Sequence, residues 1–193
     1  MAGEQLRVIE AICDKVLDIL QADTSLYAGG NAYPSGWTGV LRPDVTGSPS
    51  AGYVNLFDKP YDDDGSKHRP AVYVGTRGME ATDSLDYETQ SSGGRIEYRV
   101  LVFPLIVAVQ AADKFSARKQ RNQLVHNIKQ ILLQQILVSA FWYELTIPGN
   151  AGGGALSQRV WLSASGGNNQ QVAEAMGAIP LQIRYSWSVG CDA

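Results

Sequence analysis

The residues able to do chemistry are few in this chain, and their spacing rarely lets them work together. Ser116 and Lys119 stand three apart in "SARK", the spacing of a serine nucleophile with a lysine partner. Neither the S-D-N nor the K-T-G element of such enzymes accompanies it. His68 and His126 are the only imidazoles; one lies beside Arg69 in a charged loop and the other within a helical stretch, so each reads as a solvated or satisfied histidine and not as a base or ligand. Asp62, Asp63 and Asp64 precede Gly65, but the alternating ligands and late glutamate of a calcium loop are missing, which leaves a solvated acidic turn. The glycine-rich "GNAGGGAL" has no Lys-Ser/Thr sequel and reads as a hairpin connection, not a phosphate loop. Cys13 and Cys191 are the only cysteines. With two histidines they cannot assemble a metal quartet at these spacings, and they are expected to be free thiols. The expectation is a protein that is not an enzyme and holds no cofactor or metal.

One cluster does stand out. Lys114, Arg118, Lys119 and Arg121 crowd the start of a predicted helix, where the dipole favours anions and disfavours cations. Two readings are open for them: a solvated face, or a contact with an acidic surface on a neighbouring subunit or another protein.

The elements that position these residues follow from periodicity. Leu6, Ile9, Ile12, Cys13, Val16, Leu17 and Leu20 recur at three and four, predicting an amphipathic helix over about 4–21 with Arg7, Glu10, Asp14, Lys15 and Asp18 outside. From about 28 to 69 the composition turns to Gly, Pro, Ser, Tyr and Asp, with strand-like pieces in "TGVLRP" and "GYVNLF". The stretch is too long for an ordinary connection, and its aromatic residues argue that it packs against something. "RPAVYVG" reads as a short strand, followed by a polar loop over 76–94. Next comes "RIEYRVLVFPLIVAVQ" at 95–110, which would span roughly 50 Å if extended at about 3.3 Å per residue. Pro104 within it predicts a bulge or an edge position. Asp113 can cap the helix that follows, over about 114–138, with Leu124, Ile128, Ile131, Leu132 and Ile136 on one stripe. "FWYELTIP", "SQRVWLSAS" and "AIPLQIRYSWSV" predict three more strands. In the last, Ile179, Leu181, Ile183, Tyr185, Trp187 and Val189 alternate with polar positions, so one face is buried and one wet.

The predicted fold class is therefore α+β: a mostly antiparallel mixed β-sheet with two main helices packed on one face, plus a long irregular insertion at about 28–69. A chain of 193 residues that is 45% hydrophobic suits one well-cored domain over 1–193. With 16 basic and 19 acidic side chains, a formal charge of −3, it lacks the global basic character that drives nucleic-acid binding by charge. The opening residues carry charges throughout, unlike a signal peptide, and no apolar run of about 18 residues predicts a membrane span.

This layout resembles the tail terminator, or tail completion, proteins of tailed bacteriophages. The resemblance rests on the amphipathic first helix, the loop ending in "RPAVYVG", the strand "RIEYRVLVFPLIVAV", the central helix "FSARKQRNQLVHNIKQIL" and the final strand "AIPLQIRYSWSV". It implies a structural virion protein with no active site, forming a homo-oligomeric ring, typically a hexamer. Such a ring caps the tail tube and meets the head-side connector or stopper, with DNA only as cargo through the lumen. The implied location is the tail or neck of the virion, assembled in the host bacterial cytoplasm, with no membrane. The stretch at 28–69 departs from compact members and raises an additional collar or sheath contact. Two alternatives stand beside this reading: a head-tail connector, stopper or tail tube protein, and a small enzyme with a site built in 28–69. The loop before the long strand, carrying Arg77 and Met79, is expected to project as an arm. With Lys114, Arg118, Lys119 and Arg121 it forms the candidate interface.

Overall fold

A computed structural model describes residues 2–23, 39–42, 52–57, 69–74, 87–89, 95–134, 144–147, 159–164 and 171–189. Helix α1, Ala2–Ala22, buries Ile9, Ile12, Cys13, Val16, Leu17 and Leu20, the stripe that its three- and four-residue spacing dictates. Helix α2, Lys114–Gln134, turns Ala117, Leu124, Val125, Ile128, Ile131 and Leu132 inward. The strands are β1 Gly39–Leu41, β2 Tyr53–Phe57, β3 Ala71–Val74, β4 Tyr87–Thr89, β5 Arg95–Ala111, β6 Glu144–Thr146, β7 Arg159–Ala164 and β8 Gln171–Val189.

All eight described strands belong to one sheet in the order β1-β2-β3-β5-β8-β6, with β4 also on β5 and β7 also on β8. The β1–β2 and β2–β3 pairings are parallel; every other pairing is antiparallel. The fold class is thus α+β with a mixed, mostly antiparallel sheet. Both helices lie on the same face, because their apolar stripes share one core with Val54, Leu56, Val72, Val74, alternate residues Leu101 to Val109 of β5, and Ile179, Leu181, Ile183 and Tyr185 of β8. This is the period-2 alternation that a half-buried strand requires.

The spine of the sheet is the β5–β8 ladder, seventeen consecutive antiparallel pairs from Arg95↔Val189 to Ala111↔Ala173. The register passes Pro104 unbroken, so no bulge forms there. Pro104 stands opposite Pro180, and since neither ring has an N–H, this must be a non-hydrogen-bonded rung whose nitrogens face the outer flanks. Those flanks are open among the described residues: β3 reaches only Leu105 on one side, and on the other β6 pairs 182–184 while β7 pairs 171–176. The bulge expectation for Pro104 is therefore not met.

The strand-like pieces read in "TGVLRP" and "GYVNLF" are β1 and β2, which extend the sheet in parallel; the other residues of 28–69 lie mostly outside the described set. Two elements depart from the sequence expectations. The polar loop contributes β4, which folds back onto the first residues of β5. Strand β8 begins at Gln171, seven residues before the alternating run at 178.

The face turned away from the helices carries a smaller cluster of Ala71, Tyr73 and Ala108 with Phe57, Ile106 and Met176 against it. Phe57 stacks on Tyr73 with ring centroids 5.1 Å apart, and the Arg69 guanidinium lies 5.7 Å from the Tyr73 ring and donates to its hydroxyl.

Candidate functional site at the start of the second helix

Asp113 caps α2 as its sequence position predicts. Its Oδ1 accepts from the Ser116 amide at 2.9 Å, its Oδ2 accepts from the Ser116 hydroxyl at 2.6 Å, and its carbonyl accepts from the Ala117 amide at 3.0 Å. The Ser116 hydroxyl, then the Ser116 amide, hold the Asp113 carboxyl below its ordinary value. The hydroxyl of "SARK" is thus engaged in capping a helix. His126 is exposed on the outer side of α2.

The four helix cations of the candidate interface divide. Lys114, Arg118 and Lys119 are exposed, whereas Arg121 is 2% exposed and inside the fold. The expectation that all four face outward is corrected for Arg121. The reason is helical phase: Ala117, Arg121, Leu124 and Ile128 fall at spacings of four, three and four, so Arg121 shares the inward stripe. Its Nη1 donates to the Met176 carbonyl of β8 at 3.3 Å, while Nε and Nη2 donate to Oδ1 of Asn122 at 3.1 and 2.6 Å. Burial, and then the charge of Arg118, lower its pKa; an arginine stays protonated through such a shift. Arg121 therefore fastens α2 to β8, and the outward basic group consists of Lys114, Arg118 and Lys119.

Phe115 joins that outward group. It is 68% exposed, the most exposed of the large apolar side chains described, and it sits within one turn of Lys114, Arg118 and Lys119. Sequence reading gave it no role. The available signal was its register, since Phe115 lies outside the 117–121–124–128 stripe. Arg77, Met79, His68, Asp62 to Asp64, Cys191 and the glycine-rich run all lie outside the described residues.

Among the described residues no group of His, Cys, Asp or Glu could hold a metal ion, and no helix is long and apolar enough to cross a membrane. The chain matches no family model and no curated protein sequence. What the geometry offers at this site is an exposed aromatic ring among three exposed cations on a firmly capped helix, which is suited to docking against an acidic surface.

Proposed function

We propose that this chain is a structural virion protein, a tail terminator whose ring caps the phage tail tube and joins it to the head-side connector or stopper. It works through shape and contact, not catalysis, and resides in the tail or neck of the virion after assembly in the host cytoplasm. DNA is cargo in the lumen and not a ligand.

The β5–β8 ladder is the observation that carries this reading. Its first rung, Arg95↔Val189, lies four rungs beyond Arg99↔Tyr185, whose tyrosine is the last described core member of β8. At about 3.3 Å per residue that is ~13 Å along the strand, and β4 widens the ribbon there. A paired ribbon that continues beyond the last described core residue is a natural arm for reaching a neighbouring subunit. The order of elements, with one central helix between two long strands, also fits the resemblance.

Light scattering on the purified chain, followed by negative-stain microscopy and by mixing with capped and uncapped tail tubes, tests the proposal. The expected result is one closed ring that binds tube ends and halts tube growth. A monomer, or rings that stack into a continuous tube, would overturn it.

A further inference from the structure

The charges of the two helices are segregated. Helix α2 carries Lys114, Arg118, Lys119, Arg121 and Lys129 and no acidic residue. Helix α1 carries Glu4, Glu10, Asp14 and Asp18 against Arg7 and Lys15. Glu10, Asp14 and Asp18 are exposed and follow one another at intervals of four, one stripe on the outside of the helix. Arg42, just after β1, donates to both Asp14 and Asp18, the latter at 2.8 Å. One guanidinium thus serves two carboxylates, Glu10 adds a third, and the patch keeps a negative balance at the β1 edge.

The sheet sets these two charges apart. Helix α1 packs over β1 and β2 and along α2, whereas α2 packs over β5, β8, β7 and β6. The acidic stripe is tied to the end of β1 through Arg42, while the exposed basic, Phe115-bearing turn lies over the start of β8, where Ala117 packs with Ala173 and Ala175. A surface that differs between the two ends of a subunit and is complementary in sign is what a heterologous, head-to-tail contact needs, and such contacts close into rings when the rotation allows. A two-fold dimer could make the same contact only if both patches lay within one self-complementary surface, where it would be made twice.

We infer that the partner of the α2 basic turn is a second copy of this chain: Lys114, Arg118 and Lys119, with Phe115 as the apolar anchor, dock on the Glu10, Asp14 and Asp18 stripe of the next subunit. The inference rests on the ring proposed above and assigns its subunit contact. Aromatic and arginine side chains are the groups that most often dominate such interfaces. The complementary charges orient the encounter and make assembly weaken as salt shortens the screening length.

Charge reversal tests this without knowledge of any other partner. One variant carries Lys114→Glu, Arg118→Glu and Lys119→Glu. The other carries Glu10→Lys, Asp14→Lys, Asp18→Lys and Arg42→Glu, so that the internal bridge of Arg42 is inverted and not lost. Folding of each is checked by circular dichroism and thermal melting, and mass by light scattering across a salt series. Each variant alone is expected to be a folded monomer at concentrations where the parent is a ring. An equimolar mixture is expected to recover rings in which all-acidic and all-basic copies alternate, and a chain carrying both sets is expected to recover them because it again presents one acidic and one basic end. If both reversed variants form rings like the parent, or if they lose the ring and neither the mixture nor the combined chain recovers it, the assigned contact is wrong while the ring stands. Loss of tube binding by the α2 variant with its ring intact would move the basic turn to a tail or head protein and overturn the inference. A monomeric parent would overturn both the ring and this contact.

Discussion

Arg121 occupies the space that Gly177 leaves open. A Cβ at position 177 would stand 3.3 Å from Cδ of Arg121 and 3.6 Å from a methyl of Val125, so the absent side chain of β8 is what admits the arginine stem beneath α2. Gly177→Val is expected to destabilise the fold by about 1–3 kcal/mol through overpacking, although valine suits a strand. Combining it with Arg121→Ala should cost less than the sum of the single changes, with a coupling of about 0.5–3 kcal/mol. Denaturant melts of the four proteins in the cycle check this; strict additivity would mean the two positions do not contend for space.

Core members Ile179, Leu181, Ile183 and Tyr185 are all fully buried on β8. Leu181→Ala or Ile183→Ala is expected to cost about 2–5 kcal/mol. Removing residues 179–193 takes away several such side chains from a fold whose total stability is of the order of 5–15 kcal/mol. The truncated chain should give no cooperative melt, and a soluble, cooperatively unfolding product would contradict the central place of β8.

Burial, with Asp14 and Glu10 adding to it, pushes the Cys13 thiol up to about 12. In a Cys191→Ser background the native protein should resist a thiol reagent and react only on unfolding. The sign for pH follows from the raised value: the folded state keeps its proton where the unfolded state gives it up. The stabilising contribution is therefore whole below 9.0, the ordinary value, and is lost as pH rises from there towards 12. Relative to Cys13→Ala, the parent should lose stability across that alkaline interval, measured by denaturant melts at stepped pH.

Asp113 has the opposite sign. Its carboxyl lies below the ordinary 3.8 because Ser116 binds the ionised form twice. The stability it brings is present above 3.8 and disappears as pH falls through the lowered folded value. Asp113→Ala should lower the melting temperature at neutral pH, and the difference from the parent should vanish in strong acid. Ser116→Ala should cause a smaller loss of the same kind and leave ring assembly intact.

Phe115→Ala removes no buried contact within the subunit, so its effect on monomer stability should stay within about ±0.5 kcal/mol. Its effect on assembly should be larger, raising the concentration at which rings form in light scattering. An unchanged assembly midpoint would show that the ring is idle at the contact.

Much of this fold was legible because large side chains mark the period. The α1 stripe, the alternation of β5 and the run from Ile179 to Tyr185 are written in Ile, Leu, Val and Tyr, whose burial decides the direction of each element. The first part of β8 was not legible for the same reason: its helix-facing positions are Ala173, Ala175 and Gly177, small so that Ala117 and Arg121 can approach. Its other face holds a buried Glu174 and a half-buried Met176, so polarity does not mark which side faces the helices. Strand β4 is three residues long, too short to show a period, and it exists because β5 offers it hydrogen bonds. At the candidate site, charge was visible and helical phase was overlooked; counting from Ala117 would have moved Arg121 inward and left Phe115 outside.

The Pro104–Pro180 rung has a consequence for solubility. At that level the two longest strands have no described neighbour on their outer flanks, and an uncovered flank of a central strand is a template on which a stray chain can crystallise into a fibre. An ordinary residue there would hold out an amide hydrogen to any passing strand. Proline holds out none, and two of them back to back deny the offer on both sides at once. The two proline rings thus leave no amide donor at a level where, among the described residues, nothing flanks the β5–β8 pair.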